Sequence, residues 1–243
     1  AVVTLHRWTS CEAYDFIDAS HNGYTRLAAP ITHRRWLLLG KEYPFLLVVD
    51  FLEGVGAHQL EQTFHLSRDA QVEIRSDRAN GIMEAACVYE KEHDEEMGLR
   101  MYWTGSDGTT TELYIKEGWR SDDYGTKEAI PVLAYRQFFT SRTAIATLCL
   151  PDLALKNSAA WQVDYLNVSE LERRVEIQMT ISVDCQLTLL VDERGVSINF
   201  ILHFSCMACE RGDLTEVKIG SGYNIFASTT KRRKVNAITK GIR

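Results

Sequence analysis

No stretch of this 243-residue sequence carries an apolar stripe of helical period longer than about three turns, and that absence removes every architecture built on helices. What recurs instead is a short apolar or alternating run, at 31–39, 44–53, 57–66, 70–76, 82–90, 99–104, 111–117, 130–135, 143–149, 174–182, 185–191, 196–204 and 214–219. Turn-forming clusters such as "GKE", "EGVG", "DRANG", "GSDGT" and "DERG" separate the runs. In "VDERGVSINF" two runs flank a compact turn in which Gly195 is free to take positive φ, which predicts a hairpin. Asp152–Leu155 and Ser169–Arg173 are expected to form short helical turns. With 45% hydrophobic residues the chain has material for a sizeable core. No linker or repeat divides it. The expectation is a single all-β domain over 1–243, a large antiparallel two-sheet β-sandwich.

The net charge of -6 and pI near 5.7 argue against a nucleic-acid partner, whose footprint is basic. Local clusters of arginine leave an acidic polymer open as a partner. There is no apolar run of membrane-spanning length. Six scattered cysteines fit free thiols better than a disulfide framework. Cys206-x-x-Cys209 lacks the second pair that a structural zinc site needs, and reads as ordinary strand-end thiols. "KRRK" at 231–234 reads as a solvated tail. The chain opens on Ala1 and reads as a truncated piece, so the missing signal peptide leaves bacterial periplasm and cytoplasm both open.

The polar residues that stand out lie inside the strand-like stretch 32–66: His33, Asp50, His58 and His65. If 31–39 and 44–53 form a hairpin with Leu39 opposite Pro44, His33 falls opposite Asp50. Cross-strand Cβ atoms are then about 5 Å apart, close enough to share a proton or a metal ion. A tight second turn at Gly54-Val55-Gly56 would bring His58 to the same face as Asp50, whereas a wider connection would bring His65. Two histidines and one carboxylate make a common zinc set. The plainer alternative is a His–Asp hydrogen bond that satisfies two buried polar groups.

Six short segments occur in an order that resembles the C-terminal β-sandwich of heparinase II/III-like polysaccharide lyases: "SHNGYTRL" (20–27), "THRRWLLL" (32–39), "PFLLVVDFLEGVGAH" (44–58), "QTFHL" (62–66), "GWRSDDYG" (118–125) and "PVL" (131–133). The resemblance is dense over 14–66, returns at 118–133 and is thin beyond about 150. It implies the C-terminal part of a longer enzyme that cleaves uronic-acid-containing polysaccharide by β-elimination. The N-terminal helical toroid of such enzymes is absent from this chain, which alone is therefore expected to be inactive. The resemblance also implies a structural Zn2+ held by His33, Asp50 and His65, whereas the tight-hairpin register makes His58 the alternative third ligand.

β-Elimination beside a uronate requires a neutralised carboxylate, removal of the C5 proton and protonation of the leaving oxygen. Arg34 and Arg35 are candidates for the first task, since guanidinium forks match carboxylates. His21 is a candidate for proton transfer; its alternative is a turn histidine. Trp119 and Tyr124 are candidate stacking platforms for sugar rings, or else residues that pack a loop. A different class of function uses the same scaffold without lyase chemistry: a non-catalytic carbohydrate-binding or structural module.

Overall fold

The computed structural model describes residues 1–41, 44–77, 81–89, 97–106, 111–152, 162–182, 185–204, 212–219 and 223–230. Cys206, Cys209 and the basic run 231–234 lie outside them. Among the described residues there is no helix, and hence none long and apolar enough to cross a membrane. The strands are β1 (Val3–Ser10), β2 (Tyr14–His21), β3 (Ile31–Gly40), β4 (Phe45–His65), β5 (Ala70–Asp77), β6 (Ile82–Tyr89), β7 (Met97–Gly105), β8 (Thr111–Arg120), β9 (Glu128–Asp152), β10 (Gln162–Ser169), β11 (Arg174–Ser182), β12 (Cys185–Asp192), β13 (Gly195–Phe204), β14 (Gly212–Ile219) and β15 (Tyr223–Thr230).

A nine-stranded sheet runs β1-β2-β3-β4-β9-β7-β6-β5, with β8 paired to β9 off this path. A six-stranded sheet runs β10-β11-β12-β13-β15-β14 and is antiparallel except for the β13–β15 pair. The expected β-sandwich is the observed one. Its core lies where even-numbered residues of β2 and β3 and odd-numbered residues of β4 meet the second sheet. Phe16, Trp36, Leu38, Leu47, Val49 and Phe51 pack there against Val175, Ile177, Leu189 and Val191. Each such side chain, fully buried, contributes about 1.5–3 kcal/mol.

Two strands are longer than expected, and this places the functional cluster. Gly54-Val55-Gly56 is not the turn of a hairpin. β4 continues through it and pairs with β9 on both sides, Glu53 with Arg142 and Ala57 with Thr140. Three residues of β4 therefore oppose Ser141 alone. Gly56 (φ 92°) and Ser141 (φ 72°) both take left-handed backbone to make this bulge. Gly54 has no room for a side chain, since a Cβ would stand 2.5 Å from the Pro30 carbonyl oxygen. At the bulge both strands bend. Residues 57–65 of β4, 128–140 of β9 and all of β8 form a ribbon that folds back over residues 45–53 of β4 and 142–152 of β9. Leu133 and Tyr135 of the ribbon meet Ala85, Met101, Trp103 and Ile145 in a second core. Cys87 and Cys149 lie in this core, where burial pushes their thiols up to about 11 and about 12.

The β12–β13 hairpin forms as expected, but Gly195 does not take positive φ. Asp192 Oδ1 holds the turn by accepting the N–H groups of Arg194 (2.7 Å) and Gly195 (3.0 Å). The helical turn expected at Ser169–Arg173 is instead a tight link between β10 and β11, with Arg173 at φ 45°.

Candidate functional site

Odd-numbered residues of β2 and β3 and even-numbered residues of β4 point away from the six-stranded sheet. On this side His21 pairs with His33, and Arg35 with Asp50. The expected register, His33 opposite Asp50, is displaced by two residues, because β3 runs on to Gly40 and pairs there with Phe45. An even displacement keeps every side chain on its face. His33 therefore still reaches Asp50 diagonally, its Nε2 donating to Oδ1 at 2.5 Å.

Asp50 is 2% exposed, and its carboxylate is the hub of the cluster. Arg35 grips it with Nε to Oδ1 (2.6 Å) and an Nη to Oδ2 (3.0 Å). Gln62, brought over by the folded ribbon, donates to Oδ2 at 2.8 Å. The Gln62 carbonyl oxygen in turn accepts from Trp103 Nε1 (3.0 Å) and Thr147 Oγ1 (2.8 Å). Burial pushes the Asp50 carboxyl up, but the hydrogen bonds from His33 and Arg35 outweigh it and hold the group below the usual carboxylate range.

The chain of bonds continues outward. The Gly23 N–H donates to His21 Nδ1 at 3.1 Å, and His21 Nε2 lies 2.9 Å from His33 Nδ1. One assignment of protons satisfies all these contacts: His21 Nε2–H donates to His33 Nδ1, and His33 Nε2–H donates to Asp50. Both rings are then neutral. Burial and the nearby His33 and Arg35 lower the His21 pKa, which favours the same state. Every ring nitrogen of the pair is in use, so His21 offers no spare lone pair as a base. It ties the turn at Gly23 to the sheet.

A metal ion does not fit here. An ionised carboxylate has about four acceptor positions. Those of Asp50 face Arg35 twice, His33 and Gln62. The third ligand is also missing. The bulge adds an even number of residues to β4 relative to β9, so side-chain parity survives the bend, and Gln62 rather than a histidine comes to Asp50. His58 stacks on Phe139 (5.2 Å) and donates to the Val55 carbonyl at 3.1 Å. His65 is exposed on the opposite face of the ribbon, beside Gly118. Among the described residues no group of three His, Cys, Asp or Glu side chains is placed to hold a metal. Of the expected ligand set only His33 and Asp50 meet, His65 and His58 lie elsewhere, and the Arg35 guanidinium holds both oxygens of the Asp50 carboxylate.

Arg34 points to the other side of β3. It clamps buried Asp18 through Nε (2.7 Å) and an Nη (2.6 Å) and reaches Glu193 at 3.1 Å. It lines a cleft of about 480 Å³ between the sheets, together with Arg142, Arg173 and Glu53. Both arginine forks expected to meet a substrate carboxylate already hold a carboxylate of the protein.

The comparisons follow the same segments. A family model described as "Heparinase II/III-like, C-terminal" matches residues 2–148, which contain β1–β8 and most of β9. The chain belongs to the heparinase II/III-like family. Among solved structures, this heparinase II/III-like chain resembles heparan sulfate lyase HepC from Pedobacter heparinus (15% identity, TM-score 0.59), with 78% of this chain and 28% of that one covered. It also resembles a heparinase III with methylated lysines (11%, TM-score 0.56; 78% and 27%) and a further heparinase III (14%, TM-score 0.54; 79% and 27%). The chain thus spans little more than a quarter of the length of the structures it matches. No curated protein matches it.

Within the family-matched segment, the two aromatic candidates flank the same turn, Trp119 near the end of β8 and Tyr124 in the β8–β9 loop. Trp119 is half-exposed, with Lys127 Nζ 3.8 Å from its ring centroid, and Tyr124 is fully exposed. Loop bonds from Arg120 to Asp122 (2.5 Å) and between Thr126 and Asp123 shape the support. Two features of this heparinase-like sandwich lie outside the residues that the sequence singles out. Gln62 is one; a polar residue between Leu60 and Phe64 in an alternating strand is the available signal. The other lies on the outer face of the ribbon, where Lys116 and Tyr114 donate to Glu61 and Arg136 stacks on the Tyr114 ring at 4.6 Å. Those donors, Lys116 first, hold the Glu61 carboxyl down at about 2.

Proposed function

We propose that the chain is the C-terminal domain of a polysaccharide lyase that cleaves acidic, uronic-acid-containing polysaccharide by β-elimination, and that it contributes one wall of the substrate cleft. The family match over residues 2–148 carries this reading. The wall centres on the β8–β9 loop. Trp119 and Tyr124 offer ring faces to sugars, and the Lys127 ammonium beside Trp119 suits an anionic polymer. Arg35 and the His21–His33–Asp50 chain act as support, fixing the end of β3 and the turn at Gly23. The proton-transfer groups come from the helical toroid expected to precede this domain. The test is an assay of the full-length gene product on heparan sulfate, alginate and related uronates, read as unsaturated uronate. Absence of product on all of them would remove the lyase assignment.

A second reading, a non-catalytic carbohydrate-binding module, is favoured by one observation. Every ring nitrogen of His21 and His33 and both arginine forks are engaged within the chain. Sugar binding by a full-length protein that forms no unsaturated product would favour it.

A further inference from the structure

The side of the nine-stranded sheet that faces away from the six-stranded sheet is covered by the ribbon around β4, β7 and β9. Over β1–β3 no strand among the described residues covers it. An apolar row crosses that boundary. Val48 pairs with Leu37, Leu37 with Ile17, and Ile17 with Trp8. Val48 is buried and Leu37 and Ile17 are half-buried, while Trp8 at the sheet edge is 61% exposed. Leu5 (60%), paired with Ala19, and Val3 (70%), paired with His21, extend the same surface. Leu39 adds a further exposed side chain beside it.

Local geometry keeps these residues together. The β1–β2 register steps from Leu5↔Ala19 to Arg7↔Asp18, which leaves His6 as a bulged residue. Without that bulge, Trp8 would turn to the opposite face from Leu5. Edge strands of soluble proteins are usually blunted with charge. β1 instead presents valine, leucine and tryptophan to solvent on one face.

We propose that this side of β1–β3 is the face through which this domain packs onto the remaining part of a longer lyase chain, with Trp8 near its centre and His21, Tyr24 and Arg35 at its polar end. The inference rests on the reading above that the parent protein is longer. Two observations select the occupant. The chain covers 28% of the first structure it resembles, and the matched family model is a C-terminal one, so most of such a protein is available to cover this face. The patch is also largely aliphatic, and Val3, Leu5 and Leu39 give a sugar nothing to hydrogen-bond. A tryptophan flanked by aliphatics with tyrosine and arginine at the rim is the composition of a protein interface.

Hydroxyl-radical footprinting of the full-length protein tests this, with Trp36, 1% exposed in the sandwich core, as internal reference. The expected result is that Trp8 is labelled as little as Trp36, without added ligand and independently of protein concentration. Labelling of Trp8 several-fold above Trp36 overturns the proposal. So does protection that appears only with heparan sulfate oligosaccharide, which would make the face a sugar platform, or protection lost on dilution, which would make it a contact between copies. Turnover of uronate polysaccharide by the same sample separates the two readings. A protected Trp8 without turnover sinks the lyase reading alone, and a labelled Trp8 with turnover sinks the docking face alone.

Discussion

Replacing Asp50 by Asn keeps the shape of the hub and removes its charge. The Asn oxygen still accepts from His33. Its amide nitrogen then meets the donors of Gln62 and Arg35, two bonds that the carboxylate accepts at 2.8 and 3.0 Å. Breaking one partner of a buried ion pair costs about 3–5 kcal/mol. The Arg35 side chain is 44% exposed and can rehydrate, so solvent screening places the loss at the lower end, about 3 kcal/mol. For a chain of this size that is a fall in Tm of roughly 6–12 °C. Arg35→Met should cost at least as much, since it strands a charge at a residue 2% exposed. The double variant should lose less than the sum of the singles, because the two residues act on one pair. Urea unfolding of the four proteins measures this as shifts in midpoint at constant slope. Asp50→Asn within about 0.5 kcal/mol of the parent, or Arg35→Met without effect, would refute the reasoning that a guanidinium–carboxylate pair holds this part of the sheet.

Metal removal should leave the melting temperature unchanged, and elemental analysis of protein purified without chelator should find no stoichiometric zinc. A drop in Tm with EDTA that zinc restores would show that the cation at Asp50 is a metal after all. The pH dependence follows from the depressed Asp50 carboxyl: its contribution is complete above the unfolded value of about 3.9 and is lost as pH falls through the lower folded value. The stability gap between the parent and Asp50→Asn should therefore be flat near neutrality and close under acid; a gap that widens on acidification contradicts the assignment. Trp119→Ala and Tyr124→Ala should weaken binding of acidic oligosaccharide, measured by calorimetry on the full-length protein, with stability changed by about 0.5 kcal/mol or less, as for exposed sites. Unchanged binding would remove the loop from the cleft wall.

The strand content and the sandwich are legible because β11–β13 alternate with period two, and β3 and β6 are short apolar-rich runs bounded by turn residues. β2 is not, although Tyr14 and Phe16 begin a regular buried row. Asp18 continues that row, and a buried carboxylate breaks an apolar pattern unless its partner Arg34 is known to be there. β1 escaped because its apolar residues alternate through a bulge and face solvent. Gly54-Val55-Gly56 has the sequence of a turn because glycine pairs mark both hairpins and bulges. The distinction depends on Ser141, far away in sequence, opposing the bulge. The His33–Asp50 contact survived an error of two residues in register because side-chain parity has period two. The third partner did not survive. The ribbon's fold-back, and so the approach of Gln62, is set by tertiary packing against Trp103 and Thr147 rather than by local pattern.

The most direct measurement is the activity of residues 1–243 alone on heparan sulfate, followed as unsaturated uronate, beside the full-length protein. The nitrogens of His21 and His33 are committed to Gly23, to each other and to Asp50, so neither imidazole has a nitrogen free for proton transfer. The predicted result is product from the full-length protein and none from the domain. Sustained product from the domain alone would contradict it.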